Sequence, residues 1–356
     1  MKKILFLSNG HGEDQAAAQI IKALGSGIDI SVYPLVGEGL EFAGLNVSLL
    51  EPRRALPSGG FSLRNFLSLP RDLANGLFTL FYSQVKRLRQ LKGQYDLVIA
   101  IGDVVPIIGA ILTGCPFIFI GVNKSDYYHS FGFNYTIWEK WLLKKYAKKV
   151  FTRDEITVNN LRKHGIKAVY SGNPIMDGIG PHQTIDKQPG ESIIGFLPGT
   201  RIDDIQKNIE DFEKIAIELK RLNRKFNFII ALKDKAQLEK NASFIIDSFE
   251  NVIYNSDIVI GLSGTGNEQA AGIGKPVIAF VGRGAQYNKK FAKAQGQLLG
   301  ASLSVVKRNP KRVAEEVWEI LNDKSRMNYM GKTGMVHMGR PGAVAAIVRE
   351  IKDFLK

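Results

Sequence analysis

Ser192-Ile193-Ile194-Gly195-Phe196-Leu197-Pro198-Gly199-Thr200-Arg201 runs from an apolar strand through a tight turn towards a helix. Farther along the same half, Ser263-Gly264-Thr265-Gly266-Asn267-Glu268 again lies between a strand and a helix. Strand-to-helix turns rich in Gly and hydroxyl residues, one of them carrying an Arg, suit an anionic diphosphate. Backbone N–H groups and the positive end of the helix dipole sit where that charge would lie.

Outward from these turns, strands and helices alternate along the chain. Apolar runs fall at 3–8, 28–35, 96–101, 116–121, 168–171, 192–197, 226–231, 252–254, 257–261 and 276–281. Helical stretches fall at 14–25, 154–164, 204–223, 233–247, 267–274, 286–295 and 310–322. The pattern predicts an α/β protein with parallel sheets. Gly178, Gly180, Pro181, Pro189 and Gly190 crowd the polar stretch from Asp177 to Glu191, which reads as a linker. The expected organisation is a first Rossmann-like domain over 1–178, a linker over 179–191 and a second over 192–338. A final segment over 339–356 would hold a helix from Ala343 to Leu355 that packs back on the first domain. Sheets joined this way would face a central cleft, where ligands of such folds bind.

A chain of 356 residues is long enough for two domains of about 170 residues each. Its 45% hydrophobic and 23% charged content describes a soluble globular protein. A single cysteine, Cys115, excludes an intramolecular disulfide, and the five histidines show no metal-ligand spacing. A cytosolic protein without metal is therefore expected. Ile4 to Leu7 is too short for a secretory signal and reads as a first buried strand. Val104 to Val122 carries no charge, as a membrane span would. Pro106, Gly109, Gly114 and Pro116 interrupt it, so a strand–helix–strand unit is the better reading.

The net charge of +14 calls for an anionic partner or an ordinary solvated face. Arg53, Arg54, Arg64, Arg71, Lys86, Arg87, Arg89 and Lys92 lie in one stretch, with Asp72 alone opposing them. Phe61, Phe66, Phe78 and Phe81 are interleaved with them. Such a mixture over 53–92 suits an anionic membrane surface; an amphipathic helix packed on the sheet is the plain alternative. No nucleic-acid-binding motif accompanies the charge, and nucleic acid is not an expected partner.

The first turn, Ser8-Asn9-Gly10-His11-Gly12-Glu13-Asp14, is a tight strand-to-helix turn ending in carboxylates. Gly10, Gly12, Glu13 and Asp14 are candidates to line the floor of a ligand cleft, and His11 for a general base. Asp103 closes the strand 97–101 in an otherwise uncharged region, where it either caps the next helix or does chemistry. Lys124, Ser125 and Asp126 follow the next strand and are further candidates to contact a ligand from the first domain. In the second half, Gly199, Thr200 and Arg201 are expected on a diphosphate, the Arg fork gripping its oxygens unless Asp203 or Asp204 occupies it. Ser263, Gly264, Thr265, Gly266, Asn267, Glu268 and Gln269 complete the candidate nucleotide-phosphate site. Its small residues would let backbone approach a ligand.

Taken in order, SNGHGED, GNPIMD (172–177), LPGTR and SGTGNEQAAGIGKPV resemble lipid-A-disaccharide synthase, and more closely the group of proteins related to it. The resemblance implies a GT-B fold, with two Rossmann-like domains, the sugar nucleotide in the second and the acceptor in the first. It also implies inverting transfer from a UDP-sugar to a lipid-linked acceptor, without a metal or other cofactor. Carried over, it puts Gly199, Thr200, Arg201, Ser263, Gly264 and Thr265 on the donor diphosphate. Gly266, Asn267, Glu268 and Gln269 would complete the donor site, with Glu268 or Gln269 on the ribose, and Gly10, Gly12, Glu13, Asp14, Lys124, Ser125 and Asp126 would lie on the acceptor side. The synthase loop ends in Gly-Asp where this chain has Glu13-Asp14. The synthase also has two nearby acids where this chain offers Asp103.

The expected function is thus an inverting, metal-independent glycosyltransferase using a UDP-sugar and a lipid or membrane-associated acceptor. Asp103 or His11 would serve as base and Arg201 would stabilise the departing UDP. A UDP-N-acetylglucosamine 2-epimerase-like enzyme and a non-catalytic nucleotide-sugar or anionic-lipid binder are the alternatives. The expected location is cytoplasmic, with a peripheral place at the inner face of the cell membrane left open.

Overall fold

The computed structural model describes residues 1–53, 77–129, 134–180, 182–232, 244–284 and 287–356, apart from the side chains of His11, Leu77, Phe78, Ile202 and Asp203. Most of the basic, apolar stretch 53–92, and Pro181 of the linker, lie outside the described residues. The chain divides into two compact units, residues 1–178 with 341–356, and residues 179–340.

The first unit holds a seven-stranded sheet in the order β3-β2-β1-β4-β5-β6-β7, parallel throughout. Its strands are β1 (Lys2–Ser8), β2 (Ile28–Pro34), β3 (Ser48–Leu49), β4 (Leu97–Ile101), β5 (Phe117–Gly121), β6 (Ala147–Thr152) and β7 (Ala168–Tyr170). The helices between them are α1 (His11–Leu24), α2 (Leu77–Gln90), α3 (Val104–Leu112), α4 (Ile137–Tyr146), α5 (Glu155–Lys163) and α6 (Pro174–Asp177). Every residue of β4 and β5 is buried, because helices cover both sheet faces. The two-residue period of a strand divides β1 between two cores. Ile4 and Phe6 join Ala17 and Ile20 of α1 on one face, while Leu5 and Leu7 join Leu88 of α2 and Ile107 of α3 on the other. The uncharged stretch after Asp103 is thus α3 followed by β5, a strand–helix–strand unit. No helix among the described residues is long and apolar enough to cross a membrane.

The second unit holds a six-stranded parallel sheet, β10-β9-β8-β11-β12-β13. Its strands are β8 (Ser192–Leu197), β9 (Phe226–Ala231), β10 (Ile245–Asp247), β11 (Ile258–Gly261), β12 (Val277–Phe280) and β13 (Leu303–Val306). Its helices are α7 (Ile202–Leu222), α8 (Phe249–Asn255), α9 (Thr265–Gly272), α10 (Lys289–Leu299), α11 (Pro310–Asn322) and α12 (Lys324–Met338). Phe196 of β8 anchors an aromatic core, its ring 5.1 Å from Phe212, 5.9 Å from Phe228 and 4.8 Å from Phe244.

The last helix, α13 (Ala343–Leu355), belongs to the first unit. Ile347, Val348, Ile351 and Leu355 close the apolar face beside α1. At about 1.5–3 kcal/mol for each large aliphatic side chain fully buried, that face explains why the helix forms. Asp177 caps it from α6: its carboxylate accepts the N–H of Gly342 at 2.5 Å and of Val344 at 2.7 Å. The Asp of the GNPIMD segment is therefore committed to holding the chain's end.

Two sequence expectations are corrected. The apolar run 252–254 is not a strand but part of α8, which Ser248 caps by accepting the N–H of Asn251. Of the helix expected over 233–247, residues 245–247 are β10 and residues 233–243 lie outside the described residues.

Candidate functional site

Both sheets reverse their strand order beside their first strand. In the second unit the chain builds β9 and β10 on one side of β8, then returns to its other side with β11. The point of reversal is where α/β sheets bind ligands, because the flanking turns diverge to opposite faces. The turns leaving β8 and β11 are the two sequence motifs.

At the first of these turns Gly199 has φ +85°, a left-handed backbone that side chains disfavour. Thr200 is exposed, and Arg201 is half-buried as the N-cap of α7. Asp204 is buried in the first turn of α7. From one turn further along, Asn208 donates its side-chain N–H to the carbonyl of Pro198 at 2.9 Å. At the second turn, Ser263, Gly264 and Thr265 are half-buried, with Gly264 the N-cap of α9. Buried Gln295 of α10 donates to the carbonyls of Ser263 at 3.2 Å and Gly264 at 3.0 Å. A planar trans peptide points its N–H opposite its carbonyl. Asn208 and Gln295 therefore turn the N–H groups of Gly199, Gly264 and Thr265 away from the helices that hold them.

Asn267 is fully buried and donates to the carbonyl of Gly261 at 3.1 Å and to Gln295 at 2.9 Å. Tyr287 donates to the same Gln295 oxygen at 2.6 Å. Asn267 thus builds the turn from inside. Glu268, in the first turn of α9, is buried and Gln269 just after it is half-buried, and Gly266 is buried between them and Thr265.

In the first unit the order reverses between β1 and β4. Asn9, after β1, donates to Asp103, after β4, at 2.7 Å. The same Asp103 oxygen accepts the N–H of Val105 at 3.0 Å, so Asp103 caps α3 while facing the reversal point. Gly102 has φ +126°, and a Cβ there would collide with the Asn9 side chain. Gly10 is the N-cap of α1, followed by His11 and Gly12 in its first turn. Glu13 accepts from Asn123 beyond β5. Asp14 is buried and accepts from Ser8 at 2.5 Å. Burial pushes the Asp14 carboxyl up to about 7; the Ser8 hydrogen bond opposes this, and the charges of Glu13 and Glu41 add to it.

The other acceptor-side candidates point elsewhere. Lys124 is buried in an ion pair with Glu139 of α4 at 2.7 Å and donates to the Asn134 carbonyl at 3.1 Å. Ser125 accepts the N–H of Tyr127 at 3.1 Å. Asp126 accepts from Asn160 of α5 at 2.6 Å, and burial raises its carboxyl. The structure brings Gly10, Glu13, Asp14 and Asp103 together and leaves these three out.

Helix caps set the motif turns apart from most of the other described helices. Asp103, Thr136, Asp154, Asn173, Ser248, Asn288, Asn309 and Asp323 each cap a helix through a side-chain oxygen. The N-caps of α1, α7, α9 and α13 are Gly10, Arg201, Gly264 and Gly342, with no side-chain cap of their own. Glycine and arginine side chains offer no acceptor for first-turn N–H groups. Of these, α1, α7 and α9 open with the sequence motifs, while Asp177 serves α13 from outside the helix.

Residues 157–281 match the family model described as lipid-A-disaccharide synthetase. The matched region takes in Gly172–Asp177, Leu197–Arg201 and Ser263–Pro276, so the resemblance to this synthetase stands on three of its motif segments. The Ser8–Asp14 turn lies outside it. No curated protein matches the sequence. Solved structures do match over nearly full length. The S. aureus MnaA–UDP structure is 16% identical, with all of this chain and 97% of that one covered and a TM-score of 0.63. MurG of Acinetobacter baumannii is 15% identical, with 99% and 100% covered and a TM-score of 0.63. UDP-GlcNAc 2-epimerase from Neisseria meningitidis, bound to UDP-GlcNAc, is 15% identical, with 99% and 100% covered and a TM-score of 0.61. The fold is GT-B, two Rossmann-like α/β domains.

Asn208 and Gln295 escaped the sequence reading because neither lies in a motif. Their signal is an amide on an apolar helix stripe. Asn208 shares its face with Ile205 and Phe212, and Gln295 with Ala292 and Leu298.

Proposed function

We propose that the protein is an inverting glycosyltransferase that moves a sugar from a UDP-sugar to a lipid or membrane-associated acceptor, without a metal or other cofactor. One observation carries the reading. Adjacent strands β8 and β11 open into two helices whose N-caps are Arg201 and Gly264, inside the region that matches the synthetase family. Two such helix ends and a guanidinium offer N–H donors and positive charge to a diphosphate.

In this reading the second unit holds the donor. Gly199, Thr200, Ser263, Gly264 and Thr265 meet the diphosphate, and Glu268 or Gln269 meets the ribose. The first unit holds the acceptor beside Gly10, Gly12, Glu13 and Asp14. The acceptor oxygen forms a bond to the anomeric carbon as the bond to UDP breaks, and UDP leaves with that electron pair. The acceptor proton passes to Asp103 or His11. Arg201 and the α9 N-terminus stabilise the charge on UDP. The basic stretch 53–92 meets the anionic membrane from the cytoplasmic side.

Incubation of the protein with UDP-sugars, with and without a bacterial lipid extract, tests this directly. UDP release that depends on the extract, with the sugar recovered in a lipid product, is the expected result. Epimerised UDP-sugar formed without any acceptor would replace the reading with a 2-epimerase. Tight UDP binding without turnover in any mixture would replace it with a binding protein.

A further inference from the structure

Helix α4 has an outward face that neither unit's site uses. At about 100° per residue, Lys144, Ile137, Trp141, Lys145 and Trp138 share an arc of about 120°. The opposite side carries Leu143 and Glu139, both buried. Ile137 is 84% exposed, Trp138 76% and Trp141 49%. Solvent is an unfavourable setting for two indoles and an isoleucine side by side, so the face is suited to a partner.

The charge pattern says which partner. Glu139 is the acid of this helix, and it is turned inward, completing the Thr136 capping box and pairing with Lys124 at 2.7 Å. Lys144 and Lys145 remain outside with the indoles. The Lys145 ammonium lies 4.9 Å from the centre of the Trp141 ring and 5.1 Å from that of Tyr146. Tryptophan and tyrosine rings settle at the headgroup level of a bilayer, and lysines reach past them to anionic headgroups.

We infer that the outer face of α4 docks on an anionic lipid bilayer, with Trp138 and Trp141 at the headgroup level and Lys144 and Lys145 against the lipid charge. This deepens the membrane part of the proposed function and assigns the contact to an element outside 53–92. Vesicle binding is read without turnover, so the docking and the transferase reading fail separately.

The chain's three tryptophans provide the probe. In a full-length Trp318→Phe protein, Trp138 and Trp141 alone report. Vesicles of phosphatidylcholine with phosphatidylglycerol should shift their emission to the blue and protect them from acrylamide, while phosphatidylcholine alone should do neither. Trp138→Ser with Trp141→Ser should lower vesicle co-sedimentation at least about tenfold, with thermal unfolding unchanged. Each of Lys144→Ala and Lys145→Ala should lower it about fivefold at low salt. Failure to bind anionic vesicles would overturn the inference, as would binding untouched by the tryptophan variants. A dimer in solution that the tryptophan variants dissociate would assign the face to a second copy of the chain instead.

Discussion

Gln295 of α10 donates to the carbonyl of Gly264 at 3.0 Å, and with the Glu268 N–H on the same oxygen at 3.3 Å it sets the direction of the peptide opening α9. The same amide accepts from Tyr287 and Asn267, so three elements meet on one side chain. Gln295→Leu would take the Gln295 acceptor from the buried Tyr287 hydroxyl and from one N–H of Asn267, which keeps the Gly261 carbonyl. We expect a loss of about 2–4 kcal/mol in unfolding free energy. UDP affinity should fall about tenfold as the turn loosens. Urea unfolding and calorimetric titration with UDP read the two effects separately, and unchanged UDP affinity in a destabilised variant would reduce Gln295 to a packing role.

Arg201 sits at an N-cap that its own side chain cannot satisfy. Arg201→Ala should lower turnover by about 10²–10³-fold, the loss seen when one donor to a developing charge is removed. Because the side chain is half-exposed at a helix end, the melting temperature should stay close to that of the parent. Arg201→Lys should recover only part of the rate, since a point charge does not reproduce the fork. Steady-state kinetics on the three proteins check both statements.

Asp14 gives stability a pH dependence of unusual sign. Its carboxyl is raised from 3.8 to about 7 in the folded protein, mainly by burial. Between those values the folded state holds a proton that the unfolded chain releases, so the Asp14 contribution is complete below about pH 4 and is lost as pH rises towards 7. The whole contribution is at most about 4 kcal/mol. Asp14→Asn should flatten that part of the profile, as measured by thermal unfolding from pH 4.5 to 7.5. A wild-type slope that persists in the variant would assign it to other groups.

Lys124 stands between two roles that a stability measurement separates. Its buried pairing with Glu139 predicts that Lys124→Ala leaves an uncompensated carboxylate and costs about 3–5 kcal/mol. Lys124→Met with Glu139→Gln should recover most of that loss. An acceptor-binding role would instead raise the acceptor KM and leave unfolding alone.

Much of the fold was legible because parallel strands buried on both faces are continuous apolar runs. β1, β4, β5, β8 and β11 stand out as such. β6 did not, since Lys148 and Lys149 interrupt its sequence; Lys149 reaches out to pair with Glu350 of α13 at 2.6 Å. Val252 and Ile253 misled for the opposite reason: a short apolar run does not tell a strand from a buried helix, and the Ser248 cap decides it. At the site, the three turns and Asp103 were visible from residue type and position. The burial of Lys124 was not, because its partner Glu139 arrives from the next helix. Nor was the paired use of Asn208 and Gln295, where the sequence shows only an amide on an apolar stripe.

The most direct test of the central claim is thermal unfolding of the wild type and Arg201→Ala with UDP, GDP and ADP. A ligand at about 100 times its dissociation constant adds roughly 2.7 kcal/mol to the folded state, a readily measured rise in Tm. A donor site at the β8 and β11 turns predicts a rise with UDP that exceeds those with GDP and ADP and shrinks sharply in Arg201→Ala. No rise with any nucleotide, or a UDP rise that Arg201→Ala leaves intact, would contradict it.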